Sequence, residues 1–244
     1  MMKIGLATAE FKNNDTIGNI KTIKQYMKEA QIEQVDLLLF GESFLQGFDS
    51  LTWEPENDVA IALAKDDKQI QELRNYCQAL RVALGFGYME KCGNKFYCSY
   101  LIFDHNGCEL TNYRRVSTGW RYPHVDTNFC QEGNQLSVFE YGGRKFTIGL
   151  CGDFWDDQLV AKIPVDTEVV LWPNFRTIEK EVWVATEFDE YVERAKSLAK
   201  NVFFVNSICR DEKAVGHGGA FAVINGELKH QQILDKAGIL TLGI

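Results

Sequence analysis

Four short apolar runs place the strongest constraint on how this chain can fold. They lie within the segments 35–43, 144–151, 167–175 and 201–209. The first, VDLLLFGES, is apolar at consecutive rather than alternate positions, which is typical of a strand buried on both faces. Such strands need a covering layer on each side of their sheet. The runs therefore predict an α/β fold in which helices cover the sheets.

Helical periodicity is found before the first run and between later ones. Apolar residues three and four positions apart predict helices over 15–30, 70–80 and 187–200, the first with Asn14 or Asp15 as its N-cap. The buried face of that first helix is expected to consist of Ile17, Ile20, Ile23, Met27 and Ala30. These helices are long enough to cover the predicted sheets.

Further strands and two hairpin turns complete the pattern. Strands are predicted over 3–9 and 81–90, and hairpin turns at His105-Asn106-Gly107 and at Asn225-Gly226. Because hairpins are mixed with alternating strands and helices, the sheets are expected to be mixed. The last residues, AGILTLGI, fit either a strand or an arm that contacts a second copy of the chain.

The whole-chain properties limit the class of protein. No linker, charge block or repeat divides the 244 residues, so one domain over 1–244 is expected. A net charge of −8 with scattered Lys and Arg argues against nucleic acid or an anionic membrane as partner. Neither a signal-peptide pattern nor an apolar run of membrane-spanning length is found. Seven cysteines without framework spacing favour a reduced, cytoplasmic protein.

Polar residues end the apolar runs, and loops at strand ends are where α/β proteins place their chemistry. Glu42, Cys151 and Asn174 each end a run, and Asn206 lies within the last one. Cys151 is either a small hydrophobe that completes the core or a nucleophile held on a rigid element. As a nucleophile it needs a base, since a free thiol is only a few per cent thiolate at neutral pH.

Two side chains are candidates for that base. His217 is the most plausible of the four histidines, because the others lie in a hairpin turn or in polar segments. Glu42 directly follows an apolar run, and burial there would raise the pKa of its carboxyl group towards the working range. Periodicity alone equally fits a glutamate that emerges into solvent, so both alternatives stay open.

Three segments resemble the signature blocks of a known family. In chain order, LLLFGESFLQGF, NYRRVSTGW and IGLCGDFWDDQL look like the blocks of the nitrilase superfamily of carbon–nitrogen hydrolases. The resemblance extends from Lys3 to about Asn225. Members of this superfamily use a Glu–Lys–Cys triad, usually with a second Glu. The resemblance implies a four-layer α-β-β-α sandwich with two mixed sheets, commonly assembled as a homodimer, and no metal or organic cofactor.

The resemblance assigns a role to each matching position. Glu42 falls at the general base and Cys151 at the nucleophile, with the backbone N–H of Gly152 as an oxyanion donor. Arg115 stands where the family has its lysine, and Asp126 where it has the second glutamate. The resemblance also implies that Trp172 and Asn174 line the substrate pocket, although a core tryptophan followed by a turn fits the same residues equally well.

The implied activity is hydrolysis of a small linear amide, with release of ammonia through a Cys151 thioester. The substitutions at positions 115 and 126 motivate an alternative, a catalytically impaired relative that binds a small molecule or a partner. A glutaminase-like Cys–His enzyme is a third hypothesis, suggested by Gly149-Leu150-Cys151-Gly152 and by His217. It is the weakest of the three, because Asp153 stands where that pattern needs a further glycine.

Overall fold

A computed structural model describes residues 1–211 and 214–244 of the chain. Its strands are β1 (Lys3–Thr8), β2 (Glu10–Phe11), β3 (Leu37–Leu39), β4 (Ala83–Cys92), β5 (Lys95–Phe103), β6 (Glu109–Arg114), β7 (Ser137–Tyr141), β8 (Arg144–Ile148), β9 (Val169–Asn174), β10 (Asn201–Asn206), β11 (Ile208–Asp211), β12 (Ala214–His217), β13 (Ala220–Ile224), β14 (Glu227–Gln232) and β15 (Gly238–Gly243). Its α-helices are α1 (Thr16–Ile32), α2 (Pro55–Ile61), α3 (Lys68–Leu80), α4 (Asp157–Val160), α5 (Lys180–Val182) and α6 (Phe188–Leu198). Short 3₁₀ turns occupy Phe48–Ser50, Thr118–Trp120 and Cys151–Trp155, and a π-helical turn, Trp183–Glu187, joins α5 to α6.

Two six-stranded sheets form the centre of the fold. The first has the order β15-β1-β3-β4-β5-β6 and the second the order β14-β13-β10-β9-β8-β7. In each sheet three adjacent central strands are parallel, and the outer strands pair antiparallel. The prediction of two mixed sheets is therefore confirmed.

Alternation along β3 explains why the sheets are covered on both sides. Leu37 and Leu39 belong to the core between the two sheets, whereas Leu38 packs in a second core beneath α1 and α3. The second sheet is covered by α6, whose buried Tyr191 stacks on Trp172 of β9. The layers are thus helix, sheet, sheet and helix, the predicted α-β-β-α sandwich.

The helices follow the predicted periodicity with one exception. The Asp15 side chain caps α1 by accepting a hydrogen bond from the Gly18 N–H at 2.9 Å. Ile20, Ile23 and Met27 are buried, but Ile17 is 65% exposed in the first turn, so its assignment to the buried face was wrong.

The C-terminal segment is a strand rather than a free arm. β15 pairs antiparallel with β1 over six residues and closes one edge of the first sheet. A third sheet, with the order β12-β11-β2, was not predicted, since its strands are only two to four residues long. Among the residues that the structure describes, none of the helices combines the length and the apolar composition of a membrane span.

Candidate active site

Glu42 lies in a turn that requires two glycines close to it, Gly41 before it in the chain and Gly87 on the adjacent strand β4. The turn follows β3, and the Glu42 N–H donates to the Asn174 carbonyl oxygen at 3.1 Å. A Cβ at Gly41 would lie 2.7 Å from that same oxygen, and one at Gly87 would lie 2.2 Å from the Ser43 nitrogen. The backbones can approach this closely because both residues lack a side chain. Glu42 is consequently fully buried.

Cys151 lies just beyond β8, in an unusual backbone conformation. Its φ is +42°, in the left-handed region that costs a non-glycine residue free energy. The conformation is fixed on both sides: the Asp153 carboxylate accepts from the Leu150 N–H at 2.7 Å, and the Trp172 indole N–H donates to the Cys151 carbonyl at 2.8 Å. Residues held in such a conformation cluster at functional sites, where the surrounding contacts fix them.

Arg115 follows β6 and brings a buried cation to the same place. Its Nη1 donates to Glu42 Oε1 at 2.8 Å, and its Nε donates to Ser117 Oγ at 2.9 Å. The remaining nitrogen, Nη2, faces the residue after Cys151, since a Cβ at Gly152 would lie only 2.6 Å from it. The structure therefore brings Glu42, Arg115 and the Cys151–Gly152 turn together.

The two carboxylate oxygens of Glu42 have different environments. Oε1 accepts from Arg115 and also from the Cys98 thiol, whose Sγ lies 3.4 Å away. Oε2 has no hydrogen-bond partner among the described residues, although it is buried. One oxygen is thus held in place, and the other is available to accept a proton.

Burial is the main cause of the pKa shifts at the site. Burial raises the pKa of Glu42, and the positive charge of Arg115 opposes that rise. Burial also raises the pKa of Cys151 to about 12, with a further contribution from the Glu42 charge. Cys151 therefore holds its proton more firmly than an exposed thiol, and the carboxylate form of Glu42 is more basic than an exposed one. These are the properties of a nucleophile and a general base that exchange a proton during reaction.

Glu42, Arg115 and Cys151 open onto a cavity of about 700 Å³. Aromatic side chains form much of its wall, among them Phe48, Trp53, Trp120, Tyr122, Phe175 and Tyr191. Two further arginines, Arg121 and Arg176, also line it. A cavity that combines aromatic walls with convergent polar groups has the character of a small-molecule site.

Asp153 is a structural centre of the site that the sequence did not reveal. Its buried carboxylate accepts four hydrogen bonds and so joins the segment around Arg115 to the turn at Cys151. The donors are Tyr113 Oη (2.6 Å), Val116 N (3.1 Å), Ser117 N (2.7 Å) and Leu150 N (2.7 Å). The only signal in the sequence was an aspartate two residues after the candidate nucleophile.

Two residues predicted to line the pocket lie behind it instead. Trp172 and Asn174 are fully buried, and neither contributes to the cavity wall. Trp172 binds the Cys151 carbonyl, and Asn174 accepts from the Glu42 N–H through its own carbonyl. The prediction is corrected: both residues belong to β9 and support Cys151 and Glu42 from that strand, while the Trp172 ring packs against Tyr191 of α6 rather than in the cavity.

The structure does not bring Asp126 to this group. Its side chain is exposed and accepts from the Asn128 N–H at 2.8 Å, while its carbonyl accepts from the N–H groups of Phe129 and Cys130. The predicted second carboxylate is therefore corrected to a residue that caps a surface turn.

His217 has the carboxylate partner that the sequence did not predict, but it lies outside the site. Its Nδ1 is 3.1 Å from Asp235 Oδ1, and Asp235 also binds Arg210. His217 is absent from the wall of the cavity onto which Cys151 opens. The arrangement therefore favours Glu42 over His217 as the base. No cluster of three or more metal-ligating side chains occurs in the described residues.

Comparison with known proteins shows which family the chain belongs to. The family model described as carbon-nitrogen hydrolase matches residues 3–223. The chain belongs to this family. The resemblance to the nitrilase superfamily is thereby confirmed, and the sandwich described above is the fold of a carbon–nitrogen hydrolase.

Several carbon–nitrogen hydrolases and related proteins are similar to this chain. The glutamine-dependent NAD(+) synthetase of Acinetobacter baylyi is 23% identical over 239 residues, which are 95% of this chain and 42% of the synthetase. The aliphatic nitrilase of Rhodococcus rhodochrous is 21% identical over 225 residues, 84% of this chain and 57% of the nitrilase. The chain thus spans about half the length of these relatives.

Among solved structures, the NitN amidase from Neterenkonia sp. AN1 superposes with a TM-score of 0.81 at 18% identity. The match covers 100% of this chain and 93% of the amidase. In a variant of that amidase, acrylamide is attached to the active-site cysteine by Michael addition. At this identity the likeness establishes the fold that the two proteins share.

Proposed function

We propose that the protein hydrolyses the C–N bond of a small amide through a thioester on Cys151 and releases ammonia. One observation carries the proposal. The Glu42 carboxylate has one oxygen fixed by Arg115 and the other unpartnered among the described residues, and it opens onto the same cavity as Cys151. This is the arrangement that a base needs in order to take a proton from a thiol.

The reaction proceeds in two halves. In the first, the Cys151 thiol proton moves to Glu42 Oε2 as sulfur bonds to the amide carbon. The C–N bond then breaks, and Glu42 returns that proton to the leaving nitrogen, which departs as ammonia. In the second half, water attacks the thioester carbon and gives a proton to Glu42. The C–S bond breaks, the proton returns to Cys151, and a carboxylic acid leaves.

Arg115 and Gly152 stabilise the charge that develops on the substrate oxygen. The Nη2 of Arg115 faces the Gly152 turn, so this nitrogen and the Gly152 backbone N–H approach the same region. Donors aimed at a developing oxyanion in a site from which water is largely excluded contribute strongly, and loss of one costs about 10²–10³-fold in rate. Arginine in place of lysine keeps the charge but distributes it over a planar fork.

Family membership and the relatives support the choice of reaction class. The related amidase has an active-site cysteine, and the related synthetase is dependent on glutamine, itself an amide. The related nitrilase suggests a nitrile as the competing substrate class, because attack of a thiol on a nitrile carbon would use the same residues.

One observation favours a second candidate function, that of an impaired hydrolase which only binds its ligand. The Nη1–Oε1 bond at 2.8 Å forms a buried ion pair, and such a pair stabilises the ionised base and restrains its motion. In this case Arg115→Lys, which restores the family residue, would switch turnover on.

The test is ammonia release from a panel of small amides, carbamoyl compounds and nitriles, with Cys151→Ala beside the wild type. We expect turnover on at least one amide, lost by more than about 10³-fold in Cys151→Ala. Turnover that survives in Cys151→Ala would refute the thioester mechanism. No turnover in the wild type, together with activity in Arg115→Lys, would support the impaired hydrolase instead.

A further inference from the structure

Trp53 has a backbone conformation that a bulky residue rarely adopts. Its φ is +66°, in the left-handed region that favours glycine. The conformation is fixed by Asp58 of α2, whose side chain is buried. The Asp58 carboxylate accepts from the Trp53 N–H at 2.9 Å and from the Thr52 N–H at 2.8 Å. Strained residues that are fixed by their surroundings are common at ligand clamps, so Trp53 is a candidate for a ligand contact.

The Trp53 side chain lines the cavity onto which Cys151 opens, and there it meets two other aromatic rings. The Trp53 and Trp120 ring centroids are 5.9 Å apart, with 49° between the ring planes. The Trp53 and Tyr122 centroids are 5.3 Å apart, with 77° between the planes. Because the three rings lie in different planes, they form a corner in the cavity wall. We refer to Trp53, Trp120 and Tyr122 as the aromatic corner.

The aromatic corner is joined both to the core and to the reacting groups. Trp120 is buried and stacks on Phe96, with 6.1 Å between the ring centroids. In the 3₁₀ turn that Trp120 ends, an ideal Cβ at Gly119 would lie 3.8 Å from Arg115 Nη2. The same nitrogen faces the Gly152 turn. The corner therefore adjoins the place where the proposed mechanism holds the substrate oxygen.

Only the acyl side of the substrate can fill the corner. The proposed reaction releases ammonia, so the amide nitrogen carries no substituent. A group attached to the amide carbon would lie beside the oxygen that Arg115 and Gly152 hold, and from there it would reach the corner.

The charges next to the corner favour an uncharged group. Arg121, which lies between Trp120 and Tyr122 in the chain, is ion-paired with Glu132. The Arg115 guanidinium on the other side is ion-paired with Glu42. Because these charges are already balanced, a charged group would lose its hydration on entering without gaining an ion pair from them.

We infer that the aromatic corner binds a planar, uncharged aromatic group on the acyl side of the substrate, which is consequently the amide of an aromatic acid. This inference rests on the proposed function, since it names the substrate class of the same site. Aromatic rings prefer offset-stacked or edge-to-face contacts, and rings in different planes can supply both to one bound ring. Trp53 determines the specificity, and Asp58 is the positioning residue that holds it.

Binding to Cys151→Ala, measured by calorimetry, tests the inference without turnover. Phenylacetamide is compared with cyclohexylacetamide, whose ring is saturated and not planar. An aromatic pair gains about 2- to 12-fold in affinity beyond the area that it buries, so phenylacetamide should bind more tightly by about that factor. Equal affinity, or no binding of phenylacetamide, would overturn the inference.

A cationic amide tests the alternative that the rings recognise positive charge, since aromatic faces also attract cations. Trimethylammonioacetamide carries a quaternary ammonium group in place of the phenyl ring. It should bind more weakly than phenylacetamide. Tighter binding of the cation would contradict an uncharged aromatic ligand.

Variants of Cys151→Ala locate the preference for the aromatic ring. Trp53→Leu keeps an apolar side chain but removes the ring, so the preference should fall below about 2-fold. Trp53→Phe restores a ring and should recover part of the preference. Trp155→Leu is the matched control, because Trp155 lines the same cavity but packs against Tyr191, with 4.9 Å between the centroids. Equal losses in Trp53→Leu and Trp155→Leu would count against a specific corner.

Asp58→Asn tests the positioning role. The NH₂ group that replaces one carboxylate oxygen cannot accept from a backbone N–H, so Trp53 should lose its fixed orientation. The preference for phenylacetamide should fall, whereas the affinity for butyramide, which has no ring, should persist. An unchanged preference, or an equal loss of butyramide binding, would overturn the role of Asp58.

Turnover by the wild type separates this inference from the proposed function. Cysteine-dependent hydrolysis of butyramide in preference to phenylacetamide would overturn the aromatic subsite and leave the hydrolase intact. A ring preference that is lost in Trp53→Leu, without turnover of any amide, would support the subsite and refute the proposed function.

Discussion

A methyl group at position 152 would collide with the guanidinium that the proposed mechanism requires. An ideal Cβ built on Gly152 lies 2.6 Å from Arg115 Nη2 and 3.1 Å from Ser117 Oγ. To reach ordinary contact at 3.4 Å, Nη2 must retreat by about 0.8 Å. It cannot do so freely, because Nη1 and Nε are bound to Glu42 and Ser117. Gly152 has no positive φ, so alanine adds no backbone strain of its own.

The expected magnitude follows from that displacement. A misplacement of about 1 Å in a catalytic group costs about 10²-fold in rate, similar to the loss of one oxyanion donor. Gly152→Ala should therefore lower kcat/KM by about 10²-fold. Lysine has no second terminal nitrogen to meet the methyl group, so in the Arg115→Lys background the same change should cost less than about 10-fold. The difference between the two costs corresponds to a coupling of at least about 1.4 kcal/mol.

The assay is a double-mutant cycle on ammonia release by the wild type, Gly152→Ala, Arg115→Lys and the double variant. Thermal unfolding of all four proteins shows whether each is folded. The rate of Cys151 alkylation provides a second readout that needs no turnover. Equal costs of Gly152→Ala in the two backgrounds, or no cost in the wild type, would refute the reasoning.

Three further predictions concern the buried carboxylates of Glu42 and Asp153. Burial raises the folded-state pKa of Glu42, so the native state binds more protons than the unfolded state, and the free energy of unfolding should fall as pH rises through that pKa. Urea unfolding at a series of pH values measures this dependence. Glu42→Gln should make the dependence of the unfolding free energy on pH shallower, and an unchanged dependence would contradict the shift. The Cys98 thiol lowers the pKa of Glu42, so Cys98→Val should move the acid limb of the kcat/KM profile to higher pH, whereas Cys98→Ser, which keeps a donor, should not. Asp153→Asn places a donor NH₂ where backbone N–H groups are bound, so it should lower the free energy of unfolding by about 2–5 kcal/mol and greatly reduce activity. Chemical denaturation measures the change in unfolding free energy. A near-neutral change would be inconsistent with a carboxylate that accepts four hydrogen bonds.

The layered fold was largely predictable because its signal is local. The run around Leu37–Leu39 is apolar on both faces, and the structure buries alternate residues in two different cores. The N-cap at Asp15 and the hairpin at 105–107 depend on neighbouring residues only. The third sheet was missed, since strands of two to four residues carry no usable periodicity.

The candidate site was predictable only in part. Glu42 and Cys151 could be proposed because each ends an apolar run, and the family resemblance added Arg115. The role of Trp172 was wrong, because a residue at a strand end can face either the cavity or the layer behind it, and the sequence does not specify which. Asp126 was placed by the family resemblance, yet its side chain lies at the surface and accepts from the Asn128 N–H.

The sequence by itself determined the kinds of element and named the candidate side chains, because hydrophobic period and residue chemistry are properties of short segments. Only the tertiary structure decided how those side chains act together. Glu42, Arg115 and Cys151 lie 36 or more positions apart in the chain, and their geometry depends on where three strands end in two different sheets. The buried carboxylate of Asp153 and the space left by Gly152 depend likewise on long-range packing, which no local pattern records.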